Sequence, residues 1–200
     1  MSILSPVYFG GSRSLVPPSP LVGQVVGAVL ASGAPVHVGC SAGADALVVE
    51  CVLSWSAQQQ GSRIALSPVR SSSFQQMRVF SAFAPSGAGA CSVSNVQGVC
   101  QFAQAGGSVS WLAGGSLAVP MAARLIRRSL AALAGCSAAV FFAPSSGSLA
   151  VASHAVKSGI PVFAFGPMPA AIPGAAGCWV SSSFFGFSCW QWSAAQMSLF

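Results

Sequence analysis

Apolar and β-branched residues along this chain gather in short runs, each closed by Gly, Ser or Pro and each followed by a stretch long enough for a helix. The runs at 6–9, 36–39, 63–66, 108–112, 138–143 and 161–165 read as strands. The intervals 20–31, 42–55, 73–83, 120–133 and 148–157 read as helices, with Pro120 suited to a first helical turn, where a missing N–H does no harm. Several runs are apolar at nearly every position, as in AAVFFA from Ala138 to Ala143, which marks strands buried on both faces. The pattern predicts an α/β fold: a doubly wound, mainly parallel sheet of about six or seven strands with helices on both faces, of Rossmann-like type.

The rhythm stops near residue 167. Beyond it, Pro169, Pro173 and a Gly/Ala-rich linker lead to an aromatic segment, FFGFSCWQW, from Phe184 to Trp192. The chain is therefore read as one domain over 1–167 and an apolar extension over 168–200. That extension packs either on the domain, as a last edge strand and flap, or against a partner.

Composition changes this picture in one respect. Hydrophobic residues make up 54% of the chain and charged residues only 5%, so the surface must rely on Ser, Gln, Gly and backbone groups. A shielding partner or self-association is expected, and a homo-oligomer is the reading. Eight basic residues against two acidic ones give a net charge of +6, which favours anionic ligands. The uncharged stretches 79–123 and 158–200 are broken by Ser, Gly and Pro before reaching the roughly 18–20 apolar residues of a spanning helix. With no basic region ahead of an apolar core at the N-terminus, the expectation is a cytoplasmic protein without membrane contact. The seven cysteines show no two-residue spacing and read as small apolar fillers, and His37 and His154 stand far apart. Neither a metal site nor a cofactor is predicted.

Three loops carry the candidate chemistry. The first strand ends in GGSRS (Gly10 to Ser14), the second in GCSAGAD (Gly39 to Asp45), and the fifth in PSSGS (Pro144 to Ser148). In a parallel sheet all three lie at one edge. Glycines admit close backbone approach, and free amides at the following helix starts, with Ser hydroxyls, bind phosphate oxygens. Asp45 falls in a first helical turn, where a carboxylate either caps the helix or meets a ribose or base edge. Glu50 reads as a surface or Arg-paired residue.

In these ordered motifs the chain resembles the SLOG superfamily, which joins DNA-processing protein A (DprA, or Smf), the LOG nucleotide hydrolases and the small YspA-like members. Gly11-Ser12-Arg13 resembles the family's G-S-R turn, and Gly43-Ala44-Asp45 its G-x-D turn. Arg124 to Arg128 stands where relatives carry an R-N-R segment, without the Asn. Ser146-Gly147-Ser148 resembles the S-G-S/T turn, and GIPVF from Gly159 the following strand entry. The similarity spans about residues 6–167. It implies binding of a nucleotide or nucleotide-derived phosphate ligand by Gly11, Ser12, Arg13, Gly39, Ser41, Gly43, Asp45, Ser146, Gly147 and Ser148. The alternative it implies is binding of single-stranded nucleic acid, with Arg124, Arg127 and Arg128 tracking phosphates, at most two of them together. The LOG hydrolases use a glutamate in a P-G-G-x-G-T-x-x-E motif. Here Ala or Val stands in its place and no acidic residue follows Glu50, so no catalytic residue is assigned and the reading leans away from an enzyme. A third class is a degenerate, self-assembling member without ligand. The charge depletion also suits a viral or mobile-element gene under unusual coding constraints.

Overall fold

A computed structural model describes residues 5–15, 20–61 and 73–195. Its elements run β1 (Val7–Gly11), α1 (Pro20–Ala31), β2 (Val36–Val38), α2 (Ala44–Gly61), α3 (Ser73–Gln76), β3 (Met77–Phe80), α4 (Val93–Gln104), β4 (Ser108–Ser110), α5 (Met121–Leu133), β5 (Ala138–Phe142), α6 (Ser146–Lys157), β6 (Val162–Phe165), β7 (Gly177–Phe184) and β8 (Phe187–Ala194). The strands form one eight-stranded sheet in the order β4-β3-β2-β1-β5-β6-β8-β7. Strands β1 to β6 pair parallel, whereas β8 runs antiparallel to β6 and β7 antiparallel to β8. The fold is thus mixed α/β with a mostly parallel sheet, larger than the six or seven strands expected and with an antiparallel edge.

Strand alternation explains why the sheet needs cover on both sides. Val7 and Phe9 of β1, with Ala138, Val140 and Phe142 of β5, pack with α1, α2 and α4. Tyr8, Ala139 and Phe141 point the other way, into a second core with α5 and α6. All five β5 residues are buried, as expected of a central strand. Phe9, Phe142 and Phe165 stack across β1, β5 and β6, with ring centroids 5.9 and 5.5 Å apart, and form an apolar floor at the carboxyl ends of these strands.

Two stretches depart from the sequence reading. The helix expected over 73–83 is one turn, Ser73–Gln76, and then strand β3. Met77 and Val79 drop into the core while Arg78 stays exposed, a period-two pattern that pairing on both sides by β2 and β4 selects over the helix. Helix α4 was not anticipated. Ser92 caps it, its Oγ accepting the Asn95 N–H at 3.3 Å, and Val99 and Phe102 bury its inner face. The strand expected over 63–66 lies outside the described residues.

Beyond β6, β7 and β8 form a hairpin that continues the sheet. Trp192 enters the α5/α6 core, and Phe184 and Cys189 the opposite one. Trp179 meets Trp192 edge-on at 5.2 Å and donates its indole N–H to the Ala170 carbonyl at 2.9 Å. Among the described residues no helix is long and apolar enough to cross a membrane.

Candidate functional site

From β1 the chain works outward through β2, β3 and β4, then returns to the other side of β1 with β5 and β6. The order therefore reverses between β1 and β5, and the crevice beyond the carboxyl ends at such a reversal is where open α/β sheets hold ligands. The three loops singled out in the sequence leave the sheet at this rim. The Ser12 N–H donates to the Phe142 carbonyl, and the Ser12 carbonyl accepts the Ala44 N–H, both at 3.0 Å. The end of β1 is thereby tied to β5 on one side and to the start of α2 on the other.

Two glycines make this junction possible. A Cβ on Gly11 would overlap the Phe142 carbonyl, and one on Gly43 would overlap the Ser12–Arg13 backbone, where Gly43 also holds φ at +73°. These glycines serve contact between loops. Ser12 is buried, and its Oγ lies 2.8 Å from Ser14 Oγ and accepts the Ser14 N–H at 3.1 Å, shaping a turn that leaves Arg13 exposed. At α6, Ser146 and Gly147 are exposed. Ser148 is buried, and its Oγ accepts the Ser145 N–H at 2.7 Å and donates to the Ser145 carbonyl at 3.0 Å. Its hydroxyl is thus taken up by the helix's own first turn.

Asp45 has a partner that sequence spacing did not reveal. Arg128 Nη1 donates to Asp45 Oδ2 at 2.9 Å, with both side chains at least nine-tenths buried. The same carboxylate oxygen accepts the Ser41 N–H at 3.0 Å, and Arg128 Nη2 donates to Ser41 Oγ at 2.6 Å. Gly39 completes the arrangement, because any Cβ there would occupy the guanidinium's place. Burial pushes the Arg128 pKa down, but the Asp45 carboxylate together with Cys40 and Tyr8 outweighs it and holds the pKa above its ordinary value. Nε of Arg128 is buried without a hydrogen-bond partner. Nearby Tyr8 is pushed up to about 12, first by burial and then by Asp45.

The arginine row expected on α5 is corrected by the same geometry. Arg124 and Arg128, four residues apart, share the helix face that meets the sheet. Arg124 is buried, and it donates from Nε to the Val119 carbonyl at 3.0 Å and from Nη1 to the Ala82 carbonyl. Of the three arginines only Arg127 is exposed, so they do not form a row of phosphate contacts.

Between α2 and α4 lies a small crevice of about 40 Å³, bordered by Gly39, Ser41, Asp45, Glu50 and Asn95. It has room for water and is far below the roughly 300–1,000 Å³ of ordinary ligand pockets, so a nucleobase enters only if α4 moves. Glu50 is exposed at its border. A larger groove of about 410 Å³ runs between α5 and α6 at the opposite rim, lined mainly by apolar groups such as Leu133 and Ile160. It lies on the far side from the loops described above.

Cys40 and Cys136 are not activated as nucleophiles. Cys40 is buried, its Sγ accepts the Ala82 N–H at 3.3 Å, and burial pushes its thiol up. Cys136 Sγ lies 3.6 Å from His37 Nδ1, a pair invisible in sequence because 99 residues separate the two. His37 Nδ1 lies 2.8 Å from the Ala132 carbonyl, which only accepts, so Nδ1 carries the proton and is no base for the thiol. Burial pushes Cys136 up to about 12. Among the described residues no three His, Cys, Asp or Glu side chains gather to hold a metal.

His37 leads to a prediction on acid stability. Burial holds its pKa below the usual 6.5, against the Ala132 hydrogen bond and with help from the Arg78 charge. The unfolded chain therefore binds the proton more readily, so this contribution is complete above pH 6.5 and is lost as pH falls through the lowered folded value. His37→Asn keeps a donor for Ala132 without titrating. Urea midpoints below about pH 6.5 should fall less steeply for this variant than for the parent; equal slopes would remove His37 as the cause.

No family model, curated protein or solved structure matches this chain.

Proposed function

We propose that the chain is a doubly wound, Rossmann-like protein of the SLOG type that binds the phosphate of a nucleotide or nucleotide-derived ligand at the carboxyl rim of its sheet. One observation carries this reading. The turn presenting the exposed Arg13 is hydrogen-bonded to the ends of β5 and the start of α2, at the reversal of strand order, and the strand beside it leads to the exposed Ser146 and Gly147 of α6. Arg13 supplies charge and a bidentate donor set, and the first-turn amides of α6 supply dipole and hydrogen bonds. In this reading Gly11, Gly39, Ser41, Gly43, Asp45 and Ser148 build the rim and hold its shape. Binding rather than bond cleavage is favoured because Asp45, the carboxylate within the rim, is engaged by Arg128. The single-strand alternative loses support with the burial of Arg124 and Arg128.

Thermal shift tests it directly. A nucleoside diphosphate or ADP-ribose-type compound should stabilise the parent, by about 2.7 kcal/mol at a hundredfold excess over Kd. The matching nucleoside should not, and Arg13→Ala should remove most of the shift. A nucleoside that stabilises as well as its phosphate, or a shift unchanged in Arg13→Ala, would refute phosphate recognition at this rim.

A further inference from the structure

The sheet ends on one side in β4, three residues long, and on the other in β7, eight residues long. Natural edge strands are usually guarded by a charge, a proline or a bulge, because their unpaired N–H and C=O groups template pairing with another chain. The sequence of β7, GCWVSSSF, has no proline and no charge, and it pairs with β8 without interruption from Gly177↔Ala194 to Phe184↔Phe187. No charged residue occurs between 158 and 200 in a chain of net charge +6. No residue of this edge carries a charge that would repel a second copy.

The hairpin sets which groups face outward. Phe185 and Gly186 form the two-residue turn, both at positive φ (51° and 84°), so Phe184 and Phe187 are a hydrogen-bonded pair and the alternation follows from there. The Ala195 N–H donating to Ala176 at 3.1 Å keeps the same parity at the other end. Even-numbered residues of β7 thus bond β8, while Trp179, Ser181 and Ser183 turn their N–H and C=O groups away from the sheet.

We propose that β7 is a self-recognition edge: two copies of the chain pair antiparallel through it, about a two-fold axis at Ser181, into one continuous sheet. With Ser181 opposite its own copy, Trp179 stands opposite Ser183 of the second chain, and Ser183 opposite its Trp179. The outward groups of Trp179, Ser181 and Ser183 then all find partners, in about six interchain hydrogen bonds. This register brings Phe185, 45% exposed at a φ that favours Gly or Asn, over Gly177 of the second copy, where no side chain stands in its way.

Light scattering or sedimentation of the full chain over about a hundredfold range of concentration should show twice the 20.0 kDa chain mass, falling on dilution. Ser181→Lys places two ammonium groups directly opposite each other, and Ser181→Pro removes the central N–H that the hairpin's alternation turns outward. Each should weaken the dimer by at least about tenfold with an unchanged far-UV spectrum. Ser181→Cys, in a chain with Cys91→Ser and Cys178→Ser, should form a disulfide-linked dimer on mild oxidation, and Ser182→Cys should not. A single-chain mass at every concentration overturns the proposal, as does a dimer that survives both Ser181→Lys and Ser181→Pro. A Ser182→Cys crosslink without a Ser181→Cys one overturns the register.

Discussion

Arg128→Met is expected to lower the stability of this protein by about 3–5 kcal/mol, the usual consequence of stranding one charge of a buried pair. The residue left behind is Asp45, which keeps the Ser41 N–H and loses the guanidinium that compensates its burial. Ser41 Oγ loses its donor at the same time. The complementary change, Asp45→Leu, strands the arginine and should be similarly costly. The double variant should lose clearly less than the sum of the two, because neither charge is then left alone. Urea unfolding at neutral pH measures all three. Losses near the roughly 0–1 kcal/mol of an exposed pair, with additive singles, would show that Asp45 and Arg128 are not coupled in this way.

Gly43→Ala should cost about 3 kcal/mol, although it adds a single methyl group. The residue holds φ at +73°, where an L side chain is itself strained by about 1–2 kcal/mol. The new Cβ would also overlap the backbone of Ser12 and Arg13, which has no rotamer by which to move aside. Restoring contact distances requires parting α2 from the β1 turn, at the expense of the Ala44-to-Ser12 hydrogen bond. Gly147→Ala is the control: nothing lies within 4 Å of its Cβ position, and the change should stay within about 0.5 kcal/mol. If both glycines tolerate alanine equally, the loop junction is softer than the geometry implies.

The βα rhythm was legible because burial on both faces leaves an unmistakable mark on a short strand. AAVFFA has no polar position to misplace, and the helix over 20–31 coincides with Pro20–Ala31. The reading failed where the local signal was weak. Met77–Phe80 is four residues long and follows a helical turn, so only pairing between β2 and β4 separates it from a continued helix. Helix α4 did leave a signal: Ser92 ahead of Asn95, then Val96, Val99 and Phe102 at helical spacing. Glycines, serines and a lack of charge masked it.

For the candidate site, the sequence by itself determined which loops carry the glycines, serines and Arg13. In a parallel sheet the ends of β1, β2 and β5 necessarily lie on one side, so their approach follows from strand order and direction. The use made of each side chain was decided only by the tertiary structure. Whether Asp45 faces a ligand or a guanidinium depends on α5, 83 residues further on, turning Arg124 and Arg128 inward and Arg127 outward. A helix's rotation about its own axis is set by what it packs against. Composition could say that two carboxylates are scarce among eight cations; only packing could assign one of them to Arg128.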